Sequence, residues 1–406
     1  MLVPLEVILI ATAAAAAAPG GSEYANNTYD YVSASQTSFD EQSRLNWGNI
    51  CRLLSAVAVS CIQKLVNTNS LLTPHTSAAG AAVATRLSQT LKNSTILLAK
   101  SFKTSFPTLP ANMSRLIEAG PAAPGELKIN VPGMFGSTAG GPYDWNLTTT
   151  PQPDLGGRLV SLTRGKVLGG SSALNYMVWN RASAPEYDVW ETLGNPGWNW
   201  DSMLAGMAKS ENFTGVDSQD YGHIGRGTEG PTHNVVERYR TEQVQAWVPT
   251  LESLGLSHNL ESLGGHPIGA MLQPSSINPD NYTRSYSANS YLPRVGPKLS
   301  LLLSTRVEKI NLETLYKGLG RRRRSKDGVV ATGVTLQDGS VITARKEVIL
   351  SAGSLQSPGI LELSGIGQKS VLDAVGIEQV LDIPGVGENF QGGCPFVYIF
   401  LPEHFH

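Results

Sequence analysis

Residues 164–181, with the sequence RGKVLGGSSALNYMVWNR, are the stretch that best predicts the fold of this chain. Glycines lack a Cβ, so the main chain can turn sharply there and bring its N–H groups close to a flat or anionic ligand. Serines add hydroxyl donors. The stretch contains both residue types, as Gly165, Gly169, Gly170, Ser171 and Ser172. The apolar run that follows holds a single amide, Asn175, which indicates a buried element with one polar group directed at a ligand. The alternative is an ordinary loop that enters a helix.

This stretch resembles the first signature of the glucose-methanol-choline (GMC) family of flavoprotein oxidoreductases, which it matches from Gly165 to Asp188. Residues 353–367, GSLQSPGILELSGIG, resemble the second signature of the same family, at the family's usual distance from the first. Two long patterns in the right order rarely agree by chance. Within the family the likeness is strongest to the secreted fungal aryl-alcohol oxidase and dehydrogenase group, in the segments RGKVLGGSSALNYMVWNR, NPGWNWDSM and TRSYSANSYLP.

The resemblance implies an α/β fold in which a discontinuous, Rossmann-like FAD-binding domain carries an inserted substrate-side domain. It implies FAD as the cofactor and a small-molecule alcohol as the substrate. The FAD would be bound non-covalently, because members that tether it through a histidine in this signature place that histidine where Leu174 stands. The residues implied to bind the cofactor are Gly80, Glu118, Lys166, Leu168, Gly169, Gly170, Ser171, Ser172, Asn175, Tyr176, Met177, Val178, Val307 and Gly353.

The same resemblance divides the chain into domains. The expected order is a signal peptide at 1–20 and the first part of the FAD-binding domain at 21–205, with atypical insertions at 33–76 and 99–114. A partial substrate-side domain follows at 206–296, then the second part of the FAD-binding domain at 297–395 and a tail at 396–406. The likeness covers most of residues 115–391 and thinly residues 28–98.

The start of the dinucleotide-binding unit is interrupted. Residues 28–32, TYDYV, are predicted to form its first strand, which should run directly into a glycine-rich turn and a helix. Residues 33–76 intervene before the helix half of the motif. When the motif is aligned on Gly80, His75 and Ser77 occupy its first two glycine positions. Those glycines normally allow the tight turn and the approach of the pyrophosphate to the helix N-terminus, so His75 is interpreted as a loop residue.

The second strand shows a similar interruption. Residues 94–98, STILL, are predicted as this strand, which should lead directly into the acidic residue that binds the adenosine ribose. Glu118 matches that acid, yet residues 99–114 lie between. Both insertions fall inside elements that a parallel sheet buries, where structureless chain is hard to place. We therefore interpret them as translated non-coding sequence, such as unspliced introns.

Hydrophobic periodicity and turn residues predict the remaining elements. One helix is expected to start within residues 200–204 and another to lie within 235–254. Strands are expected over 299–310, 328–336 and 341–350. The helix of the second signature is expected to open at 352–354.

The composition describes a globular protein of two or more domains, since the chain has 406 residues, 41% of them hydrophobic, and a net charge of −2. A net charge this close to zero argues against a nucleic-acid partner. The basic run at 321–324 is interpreted as a solvated hairpin loop, with a nuclear or polyanion-binding signal as the alternative. The cysteines, Cys51, Cys61 and Cys394, allow at most one disulfide, and their spacing offers no metal site.

Residues 1–20, MLVPLEVILIATAAAAAAPG, are predicted to be a secretory signal peptide cleaved near Ala18, although the run has no Lys or Arg and includes Glu6. Its apolar stretch is too short for a membrane span. Six N-glycosylation sequons fit this secretory route, at Asn26, Asn93, Asn112, Asn146, Asn212 and Asn281. The expected location is therefore extracellular.

Alcohol oxidation by a flavin enzyme needs a base for the hydroxyl proton. In the GMC family that base is a histidine near the C-terminal end of the chain, paired with a second His or Asn. This sequence stops at His406, shortly after the segment GVGENFQ at 385–391, and its histidines match no catalytic position of the family. No catalytic residue is therefore assigned, the C-terminal part is expected to be missing, and the chain as written is expected to oxidise little or no alcohol.

Three other functions remain open at this stage. The first is a non-catalytic secreted glycoprotein that keeps the fold, and the second is a hydroxynitrile lyase on the same fold. The third is a nicotinamide dehydrogenase of the same general fold, which the two flavin-family signatures argue against. The identity of the alcohol, the electron acceptor and the oligomeric state are not indicated by the sequence.

Overall fold

The computed structural model describes residues 8–9, 70–73, 78–90, 114–215, 221–296, 299–314, 328–344 and 347–390. The strands in these ranges are β1 (Ile8–Leu9), β2 (Ser70–Thr73), β3 (Ser114–Ile117), β4 (Leu147–Thr148), β5 (Ser161–Leu162), β6 (Glu211–Thr214), β7 (Thr232–Val235), β8 (Leu299–Leu302), β9 (Val307–Thr314), β10 (Val329–Leu336), β11 (Val341–Thr343), β12 (Glu347–Leu350), β13 (Ile366–Gly367) and β14 (Leu381–Asp382).

The α-helices in the same ranges are α1 (Ala78–Thr90), α2 (Leu127–Asn130), α3 (Ala184–Thr192), α4 (Trp200–Ser210), α5 (Glu242–Ser253), α6 (Ser287–Tyr291), α7 (Gly353–Leu363) and α8 (Lys369–Ala374). Short 3-10 helices cover Pro132–Met134, Pro153–Leu155, Gly170–Ala173, Ser262–Gly264 and Leu292–Arg294.

The central sheet is parallel throughout and has the strand order β1-β12-β2-β3-β8. Successive side chains of a strand point to opposite faces of its sheet, so Leu116 and Ile117 of β3 enter different cores. Leu116 packs with Ile349 and with Leu87 of α1 on one face. Ile117 packs with Leu350 on the other face. A parallel sheet covered on both faces is the α/β class that the sequence predicted.

In the structure, β2 occupies the position of the first strand of the nucleotide-binding unit, the role for which the sequence predicts residues 28–32. β2 lies between β12 and β3 and ends just before α1, which is the order that a strand-turn-helix unit requires. The insertion predicted at 33–76 therefore does not extend over residues 70–73. Residues 28–32 lie outside the described residues.

The second strand of the unit is β3, in place of the predicted segment 94–98, which lies outside the described residues. β3 begins at Ser114, the last residue of the predicted insertion 99–114, and leads directly into Glu118. The acidic residue thus follows a buried strand, as the resemblance implies.

The strand β1 comes from the segment that the sequence predicts to be a signal peptide. Ile8 pairs with Ile349 and Leu9 with Leu350, which places β1 at one edge of the central sheet. The same residues cannot serve both as a removed leader and as an edge strand, so cleavage near Ala18 would take β1 out of the sheet.

A three-stranded antiparallel sheet, in the order β11-β10-β9, packs over one face of the central sheet. Ile310, Val334 and Ile342 from its strands share a core with Val348 of β12. The predicted strand over 328–336 is confirmed as β10. The predicted runs over 299–310 and 341–350 each divide into two strands, β8 with β9 and β11 with β12. The basic run at 321–324 lies outside the described residues, between two strands that pair as a hairpin.

The region between the two parts of the central sheet contains the parallel strand pair β6 and β7 and the helices α4 and α5. The helix predicted to start within 200–204 is confirmed as α4. The helical run predicted over 235–254 is shorter, because Val235 is the last residue of β7 and the helix begins at Glu242.

Glu211 is fully buried at the start of β6 and is contacted by two arginines. Arg181 Nη2 and Arg226 Nη2 each lie 2.7 Å from a different oxygen of its carboxylate. Asn234 Nδ2 and the Gly227 N–H donate hydrogen bonds to the same carboxylate, over 2.7 and 3.0 Å. Burial lowers the pKa of the Arg226 guanidinium, and the negative charge of Glu211 offsets part of that effect. This network ties β6 and β7 to Arg181, the last residue of the 164–181 stretch.

Glu362 of α7 predicts a pH dependence of stability. Burial, followed by the nearby charge of Glu388, raises the pKa of the Glu362 carboxyl from 4.5 to about 7. Over the interval between these two pKa values the folded chain holds a proton that the unfolded chain has lost, so stability falls as the pH rises through this window. The variant Glu362→Gln has no carboxyl at this position, so its stability should not fall through this pH window. In chemical denaturation, its free energy of unfolding relative to that of the parent should be higher at pH 8 than at pH 5. An equal difference at both pH values would contradict the raised pKa.

Candidate cofactor site

The stretch 164–181 folds into a turn that closes on itself, followed by the short helix Gly170–Ala173. The Gly165 N–H donates to Ser171 Oγ over 3.1 Å, and the Gly170 N–H donates to the Val167 carbonyl over 2.7 Å. A Cβ at position 165 would collide with the backbone of Gly170, so only glycine permits this approach. The turn enters a short 3-10 helix, as the alternative interpretation expects, and its contact with a cofactor stays a prediction.

The middle of the turn is fixed by residues that lie more than a hundred positions downstream. Gly169 has a φ of +102°, and a Cβ there would lie 2.8 Å from the Tyr286 ring. Ser172 Oγ donates to the Gly169 carbonyl over 2.6 Å and lies 3.0 Å from Ser287 Oγ. Ser287 Oγ donates to the same carbonyl over 3.1 Å. The segment preceding and opening α6 therefore acts as a second wall of the turn.

Arg284 holds the two sides of the site together, and the sequence analysis assigns no role to it. Its side chain is buried, with 1% of the residue surface exposed. Nη1 donates to the carbonyl oxygen and to Oδ1 of Asn175, each over 2.8 Å, and Nε donates to the Ile129 carbonyl over 2.7 Å. Burial lowers the pKa of the Arg284 guanidinium to about 10, so it remains charged at neutral pH. The only sequence signal for this residue is its place in the segment TRSYSANSYLP.

The residues after the turn alternate between buried and exposed positions. Met177 is buried and has a φ of +61°, whereas Tyr176 and Val178 are 65% and 56% exposed. The Tyr176 ring contacts the Phe135 ring edge to face, at a centroid distance of 5.3 Å. Asn175 is also exposed, although its Oδ1 accepts hydrogen bonds from Arg284 and from the Met177 N–H. The run thus presents an amide, a phenol and an aliphatic side chain on one outer surface, whereas the sequence predicted a buried element.

Glu118 lies on the far side of this turn. It is fully buried, and its Oε1 accepts a hydrogen bond from the Gly120 N–H over 2.6 Å. Its carbonyl accepts from the Thr305 N–H over 2.9 Å, which brings the segment leading to the buried Val307 beside it. Leu168, also buried, donates through its N–H to the Pro121 carbonyl over 3.0 Å. Segments containing Glu118, Leu168 and Val307 are thereby joined.

Lys166 is held at the entrance of the turn. Its N–H donates to the Tyr143 carbonyl over 2.7 Å, and its Nζ lies 5.0 Å from the centre of the Trp145 ring. Arg306 lies 5.6 Å from the same ring. The aromatic face of Trp145 thus gathers two cations next to the Glu118 segment.

Gly80 and Gly353 reach the same edge of the central sheet through its topology. α1 follows β2, and α7 follows β12, and these two strands are neighbours at the point where the strand order reverses. Ligands of doubly wound sheets bind at the carboxyl ends of the strands at this position. Gly353 has a φ of +88°, and no atom lies within 4 Å of the place where a Cβ would stand. Ser351 Oγ, just before it, is buried and has no hydrogen-bond partner among the described residues.

The geometry therefore unites the predicted residues at one edge of the sheet. Residues from 166 to 178 line the turn, Glu118 and Val307 adjoin it, and Gly80 and Gly353 lie at the first turns of two helices beside it. Their contacts with a cofactor stay a prediction. Within the described ranges, no three His, Cys, Asp or Glu side chains are placed to bind a metal ion, and no helix is long and apolar enough to cross a membrane.

A family model described as GMC oxidoreductase matches residues 56–393, which is well over half of the chain. The chain belongs to the GMC oxidoreductase family. The match includes residues 99–114 and part of 33–76, the two predicted insertions. It also spans both signatures on which the sequence analysis relied.

Two similar proteins illustrate how much of a relative this chain covers. The GMC oxidoreductase family protein Mala s 12 of Malassezia sympodialis is 35% identical over 280 residues, which cover 67% of this chain and 45% of that protein. Pyranose dehydrogenase 3 of Leucoagaricus meleagris is 35% identical over 293 residues, covering 70% of this chain and 48% of that enzyme. This chain thus spans less than half the length of these curated relatives.

A solved structure with a similar fold agrees with this architecture. The FAD-dependent oxidoreductase from Chaetomium thermophilum superposes with a TM-score of 0.63 at 30% sequence identity, covering 79% of this chain and 51% of that protein. The agreement supports the parallel α/β architecture described above.

Proposed function

We propose that this chain binds FAD and belongs to a protein that oxidises the CH–OH group of an alcohol. The observation that carries the proposal is the closed glycine turn at the carboxyl edge of a doubly wound sheet, held by Arg284 and lined by both family signatures. Because the chain spans less than half of its curated relatives, the alcohol oxidation is proposed for the whole protein and FAD binding for this chain.

The residues present fit a dinucleotide that carries a flat ring. The space against the backbone of Gly353 and the unpartnered hydroxyl of Ser351 suit a phosphate or ring edge next to a helix N-terminus. Glu118 supplies a buried carboxylate, the group that such folds use for a ribose hydroxyl. Asn175, Tyr176 and Val178 supply exposed polar and apolar groups for the ring.

A bound flavin supplies the hydride-accepting chemistry. In this chain the turn would hold the ring, and Arg284 would keep Asn175 oriented by fixing its Oδ1, which leaves the NH2 group of the exposed amide to donate to a ligand. The uncapped first turn of α7 would favour negative charge. We further propose that the FAD is bound non-covalently, because the tethering position is Leu174, a buried side chain with no nucleophilic atom.

FAD titration of the purified chain tests this function. Binding to the parent chain should quench the fluorescence of added FAD. Acid precipitation of the complex should release all of the flavin into the supernatant. Glu118→Gln should weaken FAD binding by about tenfold or more, since one charge-assisted hydrogen bond is lost. Glu186→Gln, at an exposed carboxylate in the first turn of α3, is the matched control and should bind FAD as the parent does. A folded chain that refuses FAD would refute the proposed function, and flavin that precipitates with the protein would refute non-covalent binding.

We also propose that the protein passes through the secretory route and carries N-linked glycans. Asn146 and Asn281 are exposed in the structure, whereas Asn212 is half-buried within β6. Expression in a fungal secretion host should therefore give glycosylation at Asn146 and Asn281, visible as a mass shift that an endoglycosidase removes. Asn281→Gln should lose one glycan. A secreted chain with unmodified Asn146 and Asn281, or a chain retained inside the host, would contradict the proposal.

A further inference from the structure

A cavity of about 500 Å³ lies between α1, the end of α4 and the segment that follows α6. Cationic side chains from four different elements line it, and one acidic side chain accompanies them: Arg86, Lys209, Arg226 and Arg294, with Glu229. None of these residues belongs to the predicted cofactor site. The cavity starts at Thr85, which lies five residues beyond Gly80 and therefore about 7.5 Å further along α1.

Two residues that line this cavity have buried polar atoms without hydrogen-bond partners among the described residues. Thr85, which lines it, is 2% exposed, and its Oγ1 has no hydrogen-bond partner among the described residues. The Arg226 side chain is 4% exposed, and its Nε also lacks a partner there. Arg226 Nη2 is paired with Glu211 Oε1 over 2.7 Å. Buried donors are normally satisfied, so Thr85 Oγ1 and Arg226 Nε indicate a missing acceptor.

The positive charge around Arg226 also indicates that an anion binds there. Among the described residues, Glu211 is the one carboxylate paired with Arg181 and Arg226, so two buried guanidinium groups share one negative charge there. The Arg226 guanidinium lies 3.7 Å from the centre of the Phe213 ring, a contact that orders the guanidinium but does not neutralise it. An uncompensated buried charge is costly, and an anion at the cavity wall would remove most of that cost.

We propose that this cavity binds a small molecule through a phosphate group. A guanidinium presents its donors in a fixed fork that fits a tetrahedral oxyanion, and several cations around one point favour a dianion over a single carboxylate. Thr85 Oγ1 donates the hydroxyl hydrogen bond, Arg226 the buried charge, and the exposed Lys209 and Arg294 the charges at the rim. The volume exceeds that of phosphate alone and leaves room for the organic part of a phosphorylated metabolite.

Calorimetric titration with inorganic phosphate tests this proposal on the whole chain, in the presence of saturating FAD so that the dinucleotide site is occupied. Phosphate should bind and should raise the unfolding temperature more than acetate at equal ionic strength. The double variant Lys209→Gln/Arg294→Gln, at two exposed positions, should weaken phosphate binding by about tenfold or more. Thr85→Val should also weaken it. Lys128→Gln/Arg158→Gln removes two exposed charges elsewhere and should leave it unchanged.

Three results would overturn the proposal. One is the absence of phosphate binding at millimolar concentrations by a chain whose circular dichroism shows that it is folded. Another is equal binding by the Lys209→Gln/Arg294→Gln and Lys128→Gln/Arg158→Gln variants, which would place the phosphate elsewhere. The third is binding of acetate as tight as that of phosphate, which would mean that the cavity does not select a tetrahedral dianion.

Discussion

Replacing Arg284 with methionine is expected to lower the free energy of unfolding by roughly 3 kcal/mol or more and to abolish FAD binding. The guanidinium satisfies the carbonyl oxygens of Ile129 and Asn175 and the Oδ1 atom of Asn175, all from one buried side chain. Methionine has a similar length but no donor, so the carbonyl oxygens of Ile129 and Asn175 and the Asn175 Oδ1 atom would all lose the Arg284 hydrogen bonds. Asn175 would also lose the contact that orients its amide, which is why the loss of FAD binding should accompany the loss of stability.

Two further substitutions separate this role from that of an ordinary surface charge. Arg284→Lys keeps the positive charge but cannot reach Ile129 and Asn175 together, so it should fall between the parent and the methionine variant in both stability and FAD affinity. Arg158→Met is the matched control, because the Arg158 side chain is exposed and donates one hydrogen bond within the described residues, to the Leu155 carbonyl over 3.2 Å. Urea denaturation and FAD titration measure both effects. An Arg284→Met chain as stable and as tightly binding as Arg158→Met would show that the buried guanidinium does not organise the site.

The glycines of the turn could be recognised because Gly165, Gly169 and Gly170 lie within six residues, and Gly165 packs against Gly170 in the same segment. The contacts of Gly169 with Tyr286 and Ala288 join residues more than a hundred positions apart and could not be predicted in this way. The helix α4 was predictable from its amphipathic start and its capping residue Asn199. The helix α7 was predicted from the second family signature. Interactions between residues that are close in the sequence can be predicted from a single sequence.

Arg284 could not be recognised in this way. It meets Asn175 across 109 residues of chain, and a long-range contact leaves no periodic pattern at either end. A buried arginine also contradicts the usual expectation that charged side chains face water, so composition argued for a surface position. The same reasoning explains why Glu211, whose partners Arg181 and Asn234 lie 30 and 23 residues away, carried no signal.

The prediction of the nucleotide-binding strands differs from the structure for another reason. β2 contains only four residues, Ser70–Thr73, whereas the segments STILL at 94–98 and TYDYV at 28–32 are longer local candidates for strands. What selects β2 is its position between β12 and β3, directly before α1. Tertiary placement overrides propensity for strands this short.

Replacing Glu211 with glutamine should destabilise the chain by about 3 to 5 kcal/mol, because it leaves two buried guanidinium groups without a counter-charge. Glutamine keeps the shape of the side chain, so the effect isolates the charge from the packing. The matched control is Asp373→Asn in α8. Its ion pair with Lys369 is as short, at 2.6 Å, but the two side chains are 66% and 54% exposed. Water and salt screen that pair, and its removal should change the unfolding free energy little.

The comparison also separates two explanations of the buried network. If the cost of Glu211→Gln comes from uncompensated charge, then replacing Arg181, Glu211 and Arg226 together with apolar residues of similar size should recover much of the lost stability, because the desolvation of all three charged groups disappears with them. If the network instead holds β6 and β7 in register through its hydrogen bonds, the triple variant should be no more stable than Glu211→Gln. The urea midpoints of Glu211→Gln, the triple variant and Asp373→Asn distinguish the two explanations. A Glu211→Gln variant that unfolds like Asp373→Asn would show that burial adds nothing to this ion pair.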